Sequence, residues 1–168
     1  PHSWTGAHDP KRAHRAAREL MPEAWLWNIC DDGAPLGSDT GADTLSAFRQ
    51  WRRRHRGVDP TAFQHKLLLG WEVPDGEWEL LDSLALERRL PAEHYAILTR
   101  DDVAVATAFA QLVVEGCVSK GVRQRASLAL RRQGAPVVLW FRGWRDPDER
   151  PHRLRVMLAV VERAEEAG

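Results

Sequence analysis

Apolar residues along the chain recur mostly at helical spacing, and no segment alternates over the length of several strands. Asp9-Pro10 supplies a helix start, with Asp able to cap free amides and Pro tolerated in the first turn, so a first, mostly charged and peripheral helix is expected over about Pro10–Leu20. Pro22–Cys30 holds Trp25, Leu26, Trp27 and Ile29 and reads as one helical turn or a short strand. A loop rich in Asp and Gly follows. Thr40 and Asp43 have capping-box-like spacing, which predicts a helix from there to about Arg54 with Leu45 and Phe48 on one face and Ala47 and Trp51 beside them. Asp59-Pro60 opens the next helix, bearing Phe63, Leu67, Leu68 and Trp71, with Gly70 as its expected end.

Pro74-Asp75-Gly76 is a turn signal and the best position for a subdomain division. Beyond it, Trp78, Leu81, Leu84 and Ala85 form the stripe of a helix over about Glu77–Leu90, which Pro91 is expected to interrupt. Thr99 and Asp102 repeat the capping spacing and predict a fresh helix over about Arg100–Glu115. That segment is apolar on most sides, which places it in the middle of a bundle. Gly116 or Gly121 ends it, and Ser119 caps a helix to about Gln133. Pro136–Phe141 contains a β-branched pair and allows a strand, with no partner strand in view. Asp146-Pro147 with Glu149 starts the last helix, where Leu154, Met157, Leu158 and Val161 follow the i, i+3, i+4, i+7 pattern. The prediction is an all-α fold: a single-domain, irregular bundle of six or seven helices over residues 1–168, with 1–9 as an extended lead-in.

Composition narrows the function classes. With 168 residues and 43% hydrophobic content the chain can bury a real core. A formal net charge of zero argues against a dedicated nucleic-acid or membrane-surface protein. No apolar run approaches the roughly 20 residues that span a bilayer, and the first residues carry no signal-peptide core. Cys30 and Cys117 lie in apolar runs without metal-site spacing and are expected as buried thiols in a reducing cytoplasm. Arg far outnumbers Lys and Ala is common, which suggests a GC-rich bacterial genome. Eight tryptophans point to core and interface positions, with some expected on an exposed patch.

The candidate chemistry concentrates between Trp25 and Trp51. No Lys or Arg occurs between Arg18 and Arg49, while Glu19, Glu23, Asp31, Asp32, Asp39 and Asp43 all fall there. Asp31, Asp32, Asp39 and Asp43 supply hard oxygen ligands of the kind Mg²⁺ or Ca²⁺ takes, although the spacing is not that of an EF-hand. The preferred reading is structural: these carboxylates form turns, cap helices and pair with the arginines that follow. Asp39-Thr40-Gly41 matches the aspartic-protease triplet, but an all-helical chain with one copy is a poor host for that chemistry. Trp51, Arg52, Arg53, Arg54 and Arg56 could bind phosphate or nucleic acid, with Trp51 stacking on bases. The preferred reading is again local, a solvated helix end paired with the acids upstream. No P-loop, G-x-S-x-G, H-E-x-x-H or G-x-G-x-x-G appears. Cys30 with His55 or His65 as its base is a thin thiol candidate, and His2, His8 and His14 read as solvated rather than ligating.

The stretches DDGAPLGSDTGADTLSAFRQWR, DDVAVATAFAQLVVEGCV and RGWRDPDERPHRL resemble the YfeS-like bacterial proteins, some of which carry a WGR domain ahead of this region. The resemblance rests on Leu36-Gly37-Ser38-Asp39 with Gly41 and Asp43, where Leu36 replaces the usual Phe, and on Phe109-Ala110-Gln111. It covers about Trp25 to Ala164 and implies no particular reaction. Bacterial immunity proteins are a looser comparison. The expected function is therefore a non-catalytic cytoplasmic interaction module with a protein partner, regulatory or inhibitory in kind, without cofactor. The alternative is an enzyme dependent on a divalent cation held by the acidic loop.

Overall fold

The longest apolar stretch organises the molecule as one continuous helix. The computed structural model describes residues 9–80 and 82–168, so the expectations for the lead-in, including His2, Trp4 and His8, and for Leu81 lie outside the described residues. Those residues form seven α-helices: α1 (Arg15–Leu20), α2 (Asp39–Arg54), α3 (Pro60–Gly70), α4 (Ser83–Glu115), α5 (Lys120–Gln133), α6 (Pro136–Arg142) and α7 (Glu149–Arg163). A 3₁₀ turn, Ala24–Trp27, sits between α1 and α2. Among the described residues the only β-type pairing is an isolated parallel bridge between Val118 and Glu166.

The C-terminal half of α4 is buried from Val103 to Val113 on every side. Its alanines, at 104, 106, 108 and 110, let neighbouring helices approach closely. α2 packs on one flank, α5 on another, and α7 closes over α5. Phe48 of α2 and Phe63 of α3 meet edge to face at 5.4 Å, fixing α3 against the α2 side of the bundle. The N-terminal half of α4 leaves this main core. Its Leu86, Leu90 and Ile97 form a separate small cluster with Val138 of α6.

Pro91 does not interrupt the helix. α4 runs for 33 residues with Pro91 inside it, capped by Asp82, whose carboxylate accepts from the Ala85 N–H at 2.7 Å. A proline forfeits one backbone hydrogen bond, and burial of Leu86, Leu90 and Ile97 on a single face outweighs that local loss. Thr99 and Asp102 therefore cap nothing: Thr99 is buried in mid-helix and Asp102 pairs with Arg142. Pro136–Arg142 is a short helix, not a strand, with Pro at its start and Gly143 in the left-handed conformation at its end.

The entries to the other helices also differ in detail. Asp9 organises a turn through the Lys11 N–H, and α1 begins only after His14, whose ring nitrogen accepts from the Ala16 N–H. Buried Ala17 attaches α1 to α4, so this helix is less peripheral than its charge suggests. Gly116 ends α4 at φ 78°, and a side chain there would collide with the His14 ring. The cap of α2 is Ser38, two residues before the predicted one: its hydroxyl accepts from the Gly41 N–H at 3.0 Å. Thr40 is already helical, and Asp43 lies exposed in the second turn.

Three variants test this arrangement by urea denaturation. Ser38→Ala should lower stability by roughly 0.5–2 kcal/mol, the usual range for a lost cap, while Asp43→Ala should stay within about 0.5 kcal/mol of wild type. Phe109→Asp, which puts a charge into the fully buried centre of α4, should cost several kcal/mol or prevent folding.

Candidate functional site

Three surface features compete for a functional role, and the acidic loop is the first. The loop closes tightly on itself. A side chain at Gly37 would strike the carbonyls of Asn28 and Asp31, so only glycine fits there. Asp31 accepts from the Gly33 N–H at 2.8 Å and from Arg153 of α7 at 2.6 Å. Burial opposes its ionisation, but Arg153, the Gly33 amide and the charge of Arg150 together hold the Asp31 carboxyl below its usual value. Asp31, Asp32 and Asp39 border one cleft of about 910 Å³, facing Arg142, Arg150 and Arg153. Asp43 is not part of it. Among the described residues no three His, Cys, Asp or Glu side chains are grouped so that they could hold a metal ion.

The arginines of that cleft serve the loops. Arg150 is buried and donates to the Gly33 carbonyl at 2.8 Å and to Gln133 Oε1 at 2.9 Å, and its guanidinium lies 4.1 Å from the Trp144 ring centre. Burial, reinforced by the neighbouring charge of Arg142, pushes its pKa down to about 10. Deeper in the bundle, Arg132 of α5 meets Asp101 of α4 through Nη2 at 2.9 Å and Nε at 3.0 Å, with both side chains almost wholly buried. Its other donors reach the carbonyls of Trp78 and Leu80, tying the segment before α4 to the core.

The basic run divides once it is placed in three dimensions. Arg52 turns inward: Nε donates to Glu115 at 2.7 Å, and Nη1 to the His55 and Val58 carbonyls at 2.8 Å each. Its role is structural, and its acidic partner comes from α4, not from the acids upstream in sequence. Arg53 and Arg54 are exposed on the rim of a cleft of about 560 Å³ between α2 and α3. Arg56 is exposed and lies outside it. The floor of this cleft is Trp51, Phe63, Leu67 and Trp71. His55 stacks on Trp51 at 4.9 Å with the rings nearly parallel, and its Nδ1 lies 2.9 Å from the Trp51 carbonyl.

The third feature is the face between α4 and α6. Leu90, Pro91, Pro136, Val137, Trp140 and Phe141 line an apolar groove of about 520 Å³. Trp140 is 79% exposed, the most open of the large hydrophobic side chains among the described residues. Leu84 and Tyr95, each 62% exposed, fall on the same stripe of α4 as Pro91, at i, i+7 and i+11, and extend the patch beside the groove. Trp51 and Trp78 are buried, as the core reading of tryptophan anticipates.

The cysteines depart from expectation: Cys30 is exposed and Cys117 half-buried. The 3₁₀ turn ends at Trp27, and Cys30, three residues on, lies on the loop surface, where its apolar neighbours do not enclose it. The contacts of the two histidines lie elsewhere: His55 Nδ1 is 2.9 Å from the Trp51 carbonyl and His65 Nδ1 is 2.7 Å from the Asp75 carboxylate. No family model, curated protein or solved structure matches the chain.

Two measurements test these assignments. Because the folded-state pKa of Asp31 is depressed, its contribution to stability is complete above the unfolded-state value of about 3.9 and is lost as pH falls through the folded value. Asp31→Asn should therefore flatten the acid limb of the stability–pH curve. Arg132→Met should destabilise by about 3–5 kcal/mol in chemical denaturation, since it leaves Asp101 buried without its partner.

Proposed function

We propose that this chain is a non-catalytic interaction module of the cytoplasm that docks a partner protein on the α4–α6 face and thereby regulates or inhibits it. One observation carries the reading: Trp140, an aromatic side chain 79% exposed, stands at the edge of an apolar groove with Leu84 and Tyr95 beside it. Tryptophan is rarely left so open without use, and it dominates binding hot spots where a partner excludes water from it. The groove gives an incoming apolar side chain a place to sit. Kinship with the YfeS-like proteins is part of this proposal and rests on the residues Leu36–Asp39 and Phe109–Gln111. No helix of the described residues is long and apolar enough to cross a membrane.

The test is site-specific photo-cross-linking in the native host from a benzophenone side chain at Glu87, an exposed residue lining the groove. A protein should be captured, bind the purified chain, and lose about tenfold or more in affinity with Trp140→Ala. Binding that ignores Trp140, or no capture at all, would reject the docking face.

A second reading, an enzyme dependent on Mg²⁺ or Ca²⁺, is favoured by the placement of Asp31, Asp32 and Asp39 around one cleft. Against it stands the engagement of Asp31 by Arg153. Under the interaction reading, the melting temperature should be the same with chelator and with millimolar Mg²⁺, Ca²⁺ or Mn²⁺. A metal-dependent rise abolished by Asp32→Asn would move the assignment to the enzyme.

A further inference from the structure

The α2–α3 cleft presents chemistry different from that of the α4–α6 face. Its floor is aromatic and aliphatic, from Trp51, Phe63, Leu67 and Trp71. Its rim carries Arg53, Arg54 and Lys66, and no Asp or Glu is among its lining residues. None of these three cations takes part in a salt bridge among the described residues. Arg49, one turn before Arg53, has its pKa lowered by burial and then by the charges of Arg53 and Arg12, in keeping with a rim where positive charge goes uncompensated. In a chain with zero formal net charge and most other buried or half-buried arginines held by carboxylates or carbonyls, this concentration is local.

We propose that the α2–α3 cleft is a second recognition site, which takes an acidic peptide segment carrying a bulky apolar side chain. The apolar anchor enters between Trp51 and Trp71, and the flanking carboxylates meet Arg53, Arg54 and Lys66. Burial of the anchor supplies affinity, and the cations supply orientation and rapid association. A single-stranded nucleic acid is disfavoured by the same geometry. One face of Trp51 is covered by His55, Phe63 packs 5.5 Å away and the Arg52 guanidinium 5.0 Å away, so Trp51 has no open face for a base.

The experiment selects a phage-displayed library of random peptides of about twelve residues on the immobilised full chain. Three variants are run in parallel: Trp140→Ala, the double variant Arg53→Glu with Arg54→Glu, and Lys66→Glu. These residues are exposed, and unchanged melting temperatures would show that each variant folds. Peptides enriched on wild type should carry Trp, Phe, Leu or Met among Asp and Glu. They should bind Trp140→Ala equally well, bind the double variant at least tenfold more weakly, and weaken with Lys66→Glu and with added salt. The proposal is overturned by enrichment of neutral or basic sequences, by no enrichment, or by enrichment that survives the double variant. It is also overturned if a fluorescein-labelled oligothymidylate binds the cleft more tightly than the selected peptides. Enrichment lost only in Trp140→Ala would overturn the second site while supporting the α4–α6 face, so failures of the two sites are distinguishable.

Discussion

The arrangement depends on arginine side chains that satisfy backbone carbonyls where helices stop. Arg132 holds the carbonyls of Trp78 and Leu80, Arg150 that of Gly33, Arg52 those of His55 and Val58, and Arg123 those of Glu162 and Ala164. Helix ends and the loops between them leave acceptors that no helical amide can reach. The guanidinium has five donors in a planar fork, so one side chain can serve a carboxylate and two carbonyls at once. Arg132 does so with Asp101, Trp78 and Leu80. Removing water from such a group is costly, and Arg132 offsets the cost most fully because its Nε, Nη1 and Nη2 all donate, whereas the buried Nε of Arg123 and of Arg150 has no partner among the described residues.

That constraint explains where function can lie. Arginines drawn inward by carbonyls and carboxylates are unavailable to partners, and Arg52 is the clearest case. Arg53 and Arg54, its neighbours in sequence, face outward because the helix turns about 100° per residue. The same sorting applies to the acids. Asp31 is bound to the architecture through Arg153, while Asp32 and Asp39 stay at the mouth of the cleft. The α4–α6 face lies beyond the main core, on the half of α4 supported by α6 and by the segment that precedes α4. A helix covered on one side leaves its other sides to solvent, and so Leu84 and Tyr95 remain exposed.

The all-α architecture, most helix positions, the Ser119 and Asp59 caps and the amphipathic stripe of α7 were legible from the sequence, because each depends on residues within a few positions of one another. The central position of the 103–113 segment was legible for the same reason: a helix apolar on all sides has nowhere else to go. Local signals also misled where two of them competed. The Thr40–Asp43 spacing suggested a cap, yet Ser38 takes that role because the tight turn at Gly37 delivers the chain to the helix two residues earlier.

What the tertiary structure alone decided involves partners far apart in sequence. Pro91 stays inside α4 because Val138 and its neighbours bury the face that Leu86, Leu90 and Ile97 present. Pairings such as Asp101 with Arg132, Asp102 with Arg142 and Arg52 with Glu115 cross from one helix to another, Asp31 with Arg153 joins the acidic loop to α7, and no periodicity announces them. Sequence fixes which residues share a face of one helix, because rise and rotation per residue are constant. It does not state which helix covers that face. Packing makes that choice, and with it decides which arginines and tryptophans are spent on the core and which are left to meet a partner.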